Sequence, residues 1–131
     1  MENNLRVLIC DDSALIRKKL RSTLEKCKCS DIIEAENGTV AVEMAIKHSP
    51  DLIFMDIVMP DKDGIEALEE IKASNQEIKV VMASSAGTKE HLKKALEKGA
   101  YDFIQKPITL EAVTNLIERI LLEEKEGSLN V

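Results

Sequence analysis

The sequence predicts a single α/β domain, a three-layer α/β/α sandwich built on a five-stranded parallel sheet. Three observations predict it. A length of 131 residues suits one domain. Five short apolar runs alternate with five helical patterns, and the connections between them are only a few residues long. Strict βα alternation of this kind implies parallel strands joined by right-handed crossovers, with helices on both faces of the sheet.

The first run, residues 5–10, is apolar at nearly every position, as a strand buried on both faces is. Residues 13–27 follow as a helix with Ile16, Leu20, Thr23, Leu24 and Cys27 on one stripe. Residues 31–35 form the second strand, and residues 39–47 the second helix, with Val42, Ala45 and Ile46 inward. After the third strand, 51–55, comes a helix over 64–73 on Ile65, Leu68 and Ile71; Asp63, with Glu66 three residues on, reads as its N-cap pair. Residues 78–83 make the fourth strand. The fourth helix, 88–98, faces inward on Leu92, Ala95 and Leu96, is capped by Thr88 and is closed by Gly99. The fifth strand is 101–105. The last helix, 109–124, starts at the cap Thr109 and carries Val113, Leu116, Ile117, Ile120 and Leu121. One domain is expected over residues 1–122, with 123–131 as a charged tail or linker stub.

The 24 acidic side chains outnumber 18 basic ones, for a net charge of −6. Such a chain lacks the basic field that attracts duplex nucleic acid or an anionic membrane, and one Tyr and two Phe give single strands no stacking platform. Met1-Glu2-Asn3-Asn4 has no basic signal-peptide region, and no run approaches the ~20 apolar residues that span a bilayer. A cytoplasmic protein without membrane insertion or direct nucleic-acid binding is expected. Cys10, Cys27 and Cys29, an odd number without companion metal ligands, read as buried or incidental thiols.

Ligands of an open parallel sheet bind beyond the carboxyl ends of its strands. The first strand ends on Asp11-Asp12, the third on Asp56, the fourth on Ser84-Ser85 and the fifth on Lys106-Pro107. The second runs into Glu34-Ala35-Glu36-Asn37-Gly38, with nothing distinctive. Each residue alone has a plainer reading: Asp12 or Ser13 as a helix cap, Asp56, Ser84 and Ser85 as turn residues, Lys106 as a solvated lysine held extended by its proline. Together, three carboxylates and one ammonium leave an excess of negative charge that either raises carboxylate pKa values or recruits a cation. All-oxygen donors with room for water suit Mg²⁺. Such a metal beside a lysine and a serine hydroxyl would hold three oxygens of a phosphoryl group, with a carboxylate as nucleophile.

At these residues the chain resembles the receiver domains of two-component response regulators, most of all the single-domain chemotaxis (CheY-like) type. The resemblance spans about residues 5–122. It rests on Asp11-Asp12, on Asp56-Ile57-Val58-Met59-Pro60 with Gly64, on Ser84, on Gly99-Ala100 and on Lys106-Pro107. It implies the flavodoxin-like strand order 2-1-3-4-5. It implies Asp56 as phosphoacceptor and a Mg²⁺ ion held by Asp12, Asp56 and the Val58 main-chain carbonyl, with Asp11 acting largely through a bound water. Lys106 would pair with the phosphoryl group, Ser84 would donate its hydroxyl, and the Lys106-Pro107 bond would be cis. Phe103 matches the family's aromatic switch; a packed aromatic on the last strand is its other reading.

The partners implied are a histidine kinase or phosphotransfer protein, and a downstream target on the face of the fourth helix, fifth strand and fifth helix. That face includes Lys89, Lys93, Lys94, Lys98, Tyr101, Gln105 and Arg119. A monomer is expected. Val58 and Ala86 occupy the positions that tune phosphoryl lifetime in the family; both are apolar, which implies slow self-dephosphorylation and no turnover catalysis. Two other readings stay open. One is a receiver fragment of a larger transcriptional regulator or hybrid kinase. The other is a metal-dependent aspartate-nucleophile phosphatase, which wants Asp-x-Asp where this chain has Asp11-Asp12-Ser13.

Overall fold

The computed structural model describes residues 3–59, 62–85 and 89–129, apart from the side chains of 127–129. In chain order the elements are β1 (Arg6–Cys10), α1 (Ala14–Lys26), β2 (Asp31–Ala35), α2 (Gly38–His48), β3 (Leu52–Asp56), α3 (Gly64–Ser74), β4 (Lys79–Ser84), α4 (Lys89–Glu97), β5 (Asp102–Gln105) and α5 (Leu110–Leu129). The sheet is parallel throughout, in the order β2-β1-β3-β4-β5 that the resemblance implied.

Side chains alternate across a strand, and this sorts the core into two halves. Leu8, Cys10, Ile53, Met55, Val80 and Met82 pack against α2, α3 and α4, while Val7, Ile9, Leu52, Phe54 and Val81 pack against α1 and α5. Every residue of the central strand β3 is buried, Asp56 included. β5 departs from the expectation of burial on both faces, for only Ile104 is buried there. It is an edge strand, with a neighbour on one side alone.

The predicted stripes hold on α1, α3 and α5, whose buried positions include Leu20 and Leu24, Ile65, Leu68 and Ile71, and Val113, Leu116, Ile117 and Ile120. On α2 the inward residues are Gly38, Ala41 and Ala45, and Ile46 is 60% exposed. On α4 Ala95 is buried and Leu96 is exposed. Each misplaced residue follows a buried alanine directly, and one helical step turns a side chain roughly 100° off the inward face. On both helices an alanine takes the inward position. At Gly38 even a Cβ would overlap the Lys62 carbonyl oxygen.

Ser13 caps α1 and accepts the Ile16 N–H at 3.3 Å, Asp63 caps α3 from Glu66 at 2.9 Å, and Thr109 Oγ1 accepts the Ala112 N–H at 3.1 Å. Asn37, which the pattern did not single out, caps α2 through the Val40 N–H at 2.9 Å. Gly99 takes φ +104°, the left-handed turn that closes α4. The readings at Pro60, Ala86 and Thr88 fall outside the described residues. α5 runs to Leu129, past the end expected near residue 124. Residues 123–126 are exposed, as their charge predicts, but Leu, Glu and Lys are strong helix formers and carry the helix beyond its last buried turn.

Candidate functional site

Strand pairing brings the predicted residues to one edge. Cys10 is level with Met55, and Asp56 with Ala83, which sets Asp11 beside Asp56 and Ser84 one step further along β4. The ladder continues past the strand ends: Asp11 N–H reaches the Ala35 carbonyl at 3.2 Å, Ile57 N–H the Ala83 carbonyl at 3.2 Å, and Lys106 N–H the Ser84 carbonyl at 2.8 Å. The site backbone is therefore tied into the sheet, the rigidity that a positioned site needs. Among the described residues the buried polar ones are Asp11, Asp56 and Ser84. Burial without function would favour apolar residues at all three positions.

Asp11, Asp12 and Asp56 each offer a carboxylate oxygen, and these oxygens lie within 4.8 Å of one another. Lys106 Nζ stands 3.0 Å from Asp11 Oδ2 and 3.3 Å from Asp56 Oδ2, across a Lys106-Pro107 bond that is cis. The cap of α1 falls to Ser13, whose own N–H donates to Asp11 Oδ1 at 2.9 Å. That settles the alternative left open at Asp12 and leaves its exposed carboxylate in the cluster. Gly64 lets the loop after β3 close. A Cβ there would overlap the Asp56 carbonyl oxygen, and its N–H donates to the Ile57 carbonyl at 2.9 Å.

The electrostatics follow from this crowding. Burial, with Asp11 adding to it, pushes the Asp56 carboxyl above the usual carboxylate range; Lys106 and the Val58 N–H pull it back only in part. Burial opposes the charge of Lys106, yet Asp11 and Asp56 outweigh it and hold its ammonium above the ordinary range. Burial, then the charges of Asp11 and Asp56, push the Cys10 thiol up to about 12. It stays protonated at neutral pH, within hydrogen-bond reach of the Asn37 carbonyl and Met59 Sδ, which makes it a poor nucleophile. An all-oxygen donor set whose negative charge exceeds that of its single lysine fits Mg²⁺.

Phe103 lies on β5 with 45% of its surface exposed, beside an open cleft of about 250 Å³ that Asn115, Leu116 and Arg119 also line. It is turned outward rather than packed in the core. Val58 is 66% exposed. Lys89, Lys93, Lys94 and Lys98 are exposed on and beside α4. The face is less basic than expected, since Arg119 pairs with Asp102, Lys98 with Glu69, and the Tyr101 hydroxyl donates to Glu123 at 2.7 Å.

The second strand, whose end looked undistinguished, adds a group that the sequence reading missed. Glu34 Oε1 takes Arg17 Nε at 3.0 Å and Glu34 Oε2 takes Arg21 Nε at 2.8 Å, while Arg17 Nη1 donates to the Asp11 main-chain oxygen at 2.6 Å. One signal was available: two arginines four apart share a helix face. Which acid meets them is a matter of tertiary packing.

The model of the response regulator receiver domain family matches residues 7–118. The chain is 42% identical over 116 residues to the chemotaxis protein CheY of Bacillus subtilis, covering 88% of this chain and 97% of that one. It is 44% identical over 117 residues to the chemotaxis protein CheY of Halobacterium salinarum, covering 88% and 96%. Among solved structures, the receiver domain of NtrX from Brucella abortus superposes with a TM-score of 0.81 at 32% identity, over 88% of this chain and 97% of that one. Fold, site and these likenesses agree over the same stretch of chain, which belongs to the response regulator receiver family.

Proposed function

We propose that the protein is a phosphorylation-activated receiver. Asp56 accepts a phosphoryl group from a histidine kinase or phosphotransfer protein in a Mg²⁺-dependent reaction, and the change is read by a downstream target on the α4-β5-α5 face. One observation carries this reading: Lys106 reaches both buried carboxylates of a three-aspartate cluster at the carboxyl edge of the sheet. A cytoplasmic signalling role fits a chain in which, among the described residues, no helix is long and apolar enough to cross a membrane.

Asp11, Asp12, Asp56 and the Val58 carbonyl would hold the Mg²⁺, with Asp11 largely through water. When bound, the ion supplies positive charge to phosphoryl oxygens. An Asp56 carboxylate oxygen forms the new bond to phosphorus as the bond from phosphorus to the donor imidazole nitrogen breaks, its electron pair staying with that nitrogen. Positioning and charge neutralisation do most of the work in such a transfer. Lys106 already stands between Asp11 and Asp56; it takes up a phosphoryl oxygen once Asp56 is esterified. Ser84, one step along β4, donates its hydroxyl to another. As the Ser84 hydroxyl moves toward the phosphoryl group, Phe103 turns inward, shifting the population of the partner face. Val58 offers no polar group to orient an attacking water, so the acyl phosphate decays slowly and the protein acts as a switch, not a turnover enzyme.

Intact-mass measurement after incubation with Mg²⁺ and acetyl phosphate tests this. Wild type is expected to gain a base-labile phosphoryl adduct that Asp56→Asn lacks. Sustained turnover of ordinary phosphomonoesters would instead favour an aspartate-nucleophile phosphatase. A wild type that takes up neither phosphoryl nor beryllofluoride would overturn the proposal.

A further inference from the structure

We infer that Arg17 is a positioning residue for the metal site: its guanidinium clamps the peptide between Asp11 and Asp12 and so aims the Asp12 carboxylate. The inference rests on the Mg²⁺ reading above and deepens it. The Asp11 main chain is held at both ends, its N–H by the Ala35 carbonyl at 3.2 Å and its oxygen by Arg17 Nη1 at 2.6 Å. The guanidinium is itself fixed, because its Nε donates to Glu34 Oε1 at 3.0 Å. Glu34 is fixed in turn by Arg21, which also donates to the Ile32 carbonyl at 3.1 Å. A planar fork spanning two acceptors transmits orientation as well as charge. The clamp thus runs from β2 through Glu34 and Arg17 to the backbone of the first two aspartates.

Asp12 is where this matters. Asp11 and Asp56 are buried and reach Lys106, whereas Asp12 is the exposed member of the cluster, so its aim comes from the backbone that carries it. Mg²⁺ demands near-ideal octahedral geometry, while Ca²⁺ accepts varied ligand numbers and angles. Loosening the Asp11–Asp12 peptide should therefore weaken Mg²⁺ binding more than Ca²⁺ binding. A purely electrostatic role predicts the opposite, since removing a cation from the rim would strengthen both.

The full chain titrated calorimetrically with Mg²⁺ and with Ca²⁺ tests this, with thermal melts confirming that each variant folds. Arg17→Met is expected to bind Mg²⁺ about tenfold more weakly, the usual cost of losing an outer-shell partner, and to lose clearly less affinity for Ca²⁺. Arg21→Met loosens Glu34 but leaves the Asp11 carbonyl clamped by Arg17, and should lose Mg²⁺ affinity by a clearly smaller factor than the Arg17 variants. Arg17→Lys keeps the charge but cannot span Asp11 and Glu34 together, and should show the same selective loss if Arg17→Met proves too unstable to titrate. Unchanged Mg²⁺ affinity in the Arg17 variants, an equal loss for both ions, or an equal loss in Arg21→Met would overturn the inference. A wild type that binds no Mg²⁺ would overturn the metal reading itself, and the inference with it.

Discussion

Asp56 is buried at the end of β3 with Asp11 beside it, and both effects disfavour its charged form. Its folded pKa lies above the unfolded one, so the stability it contributes is present below the unfolded pKa and is lost as pH rises through the folded one. At neutral pH, without metal, its ionisation works against folding. Asp56→Asn, neutral at every pH, is expected to melt about 3 °C higher than wild type in neutral EDTA buffer, the shift that roughly 1 kcal/mol gives a domain of this size. The gap should close in acid, where wild-type Asp56 protonates. A wild type that melts higher than the variant at neutral pH would contradict the assignment. The residue types at Asp56, Asp11 and Lys106 were legible because polar groups ending apolar runs stand out. That Ser13 rather than Asp12 caps α1 was not legible, since either side chain suits that role.

α1 and β2 are joined by the Arg17, Arg21 and Glu34 pairs. Burial opposes the Glu34 charge, but the two arginines outweigh it and hold its carboxyl below the usual value of 4.5. A depressed pKa places the stabilising effect above the unfolded pKa and removes it as pH falls through the folded one. Glu34→Gln should therefore cost about 1 kcal/mol at neutral pH, as partly exposed arginine networks do, and nothing in acid once pH has fallen through the folded pKa. Urea unfolding at the two pH values checks this; an equal cost at both would point to lost packing instead of lost charge. Strand positions were readable to within about a residue, because a change from helical period to a short apolar run is a local event. The centre of an inward stripe is less local. Ile46 and Leu96 read as buried, but their alanine neighbours take the inward positions.

The site is assembled from strand ends that lie between residues 11 and 106, so a ligand bound there ties together β1, β3 and β5. A ligand that binds only the folded chain stabilises it by mass action. Mg²⁺ at ten times its dissociation constant should add about 1.4 kcal/mol, raising the wild-type melting temperature by several degrees; EDTA should reverse this, and Asp12→Asn should blunt it. Scanning calorimetry with and without Mg²⁺ reads the effect, and a rise of equal size in Asp12→Asn would remove Asp12 from the ligand set.

The order of elements, their helical or extended character and the residues that end each strand were determined by the sequence alone, because apolar period, caps and turn residues act over a few neighbouring positions. The strand order came from resemblance, and only the assembled sheet decided the rest. It laid Asp11 beside Asp56, carried Lys106 to both, delivered Glu34 of an apparently plain strand to Arg17, and left Phe103 facing outward on an edge. Those contacts join segments up to 95 residues apart. They depend on how crossovers pack across a twisted sheet, and local pattern carries no record of that distance.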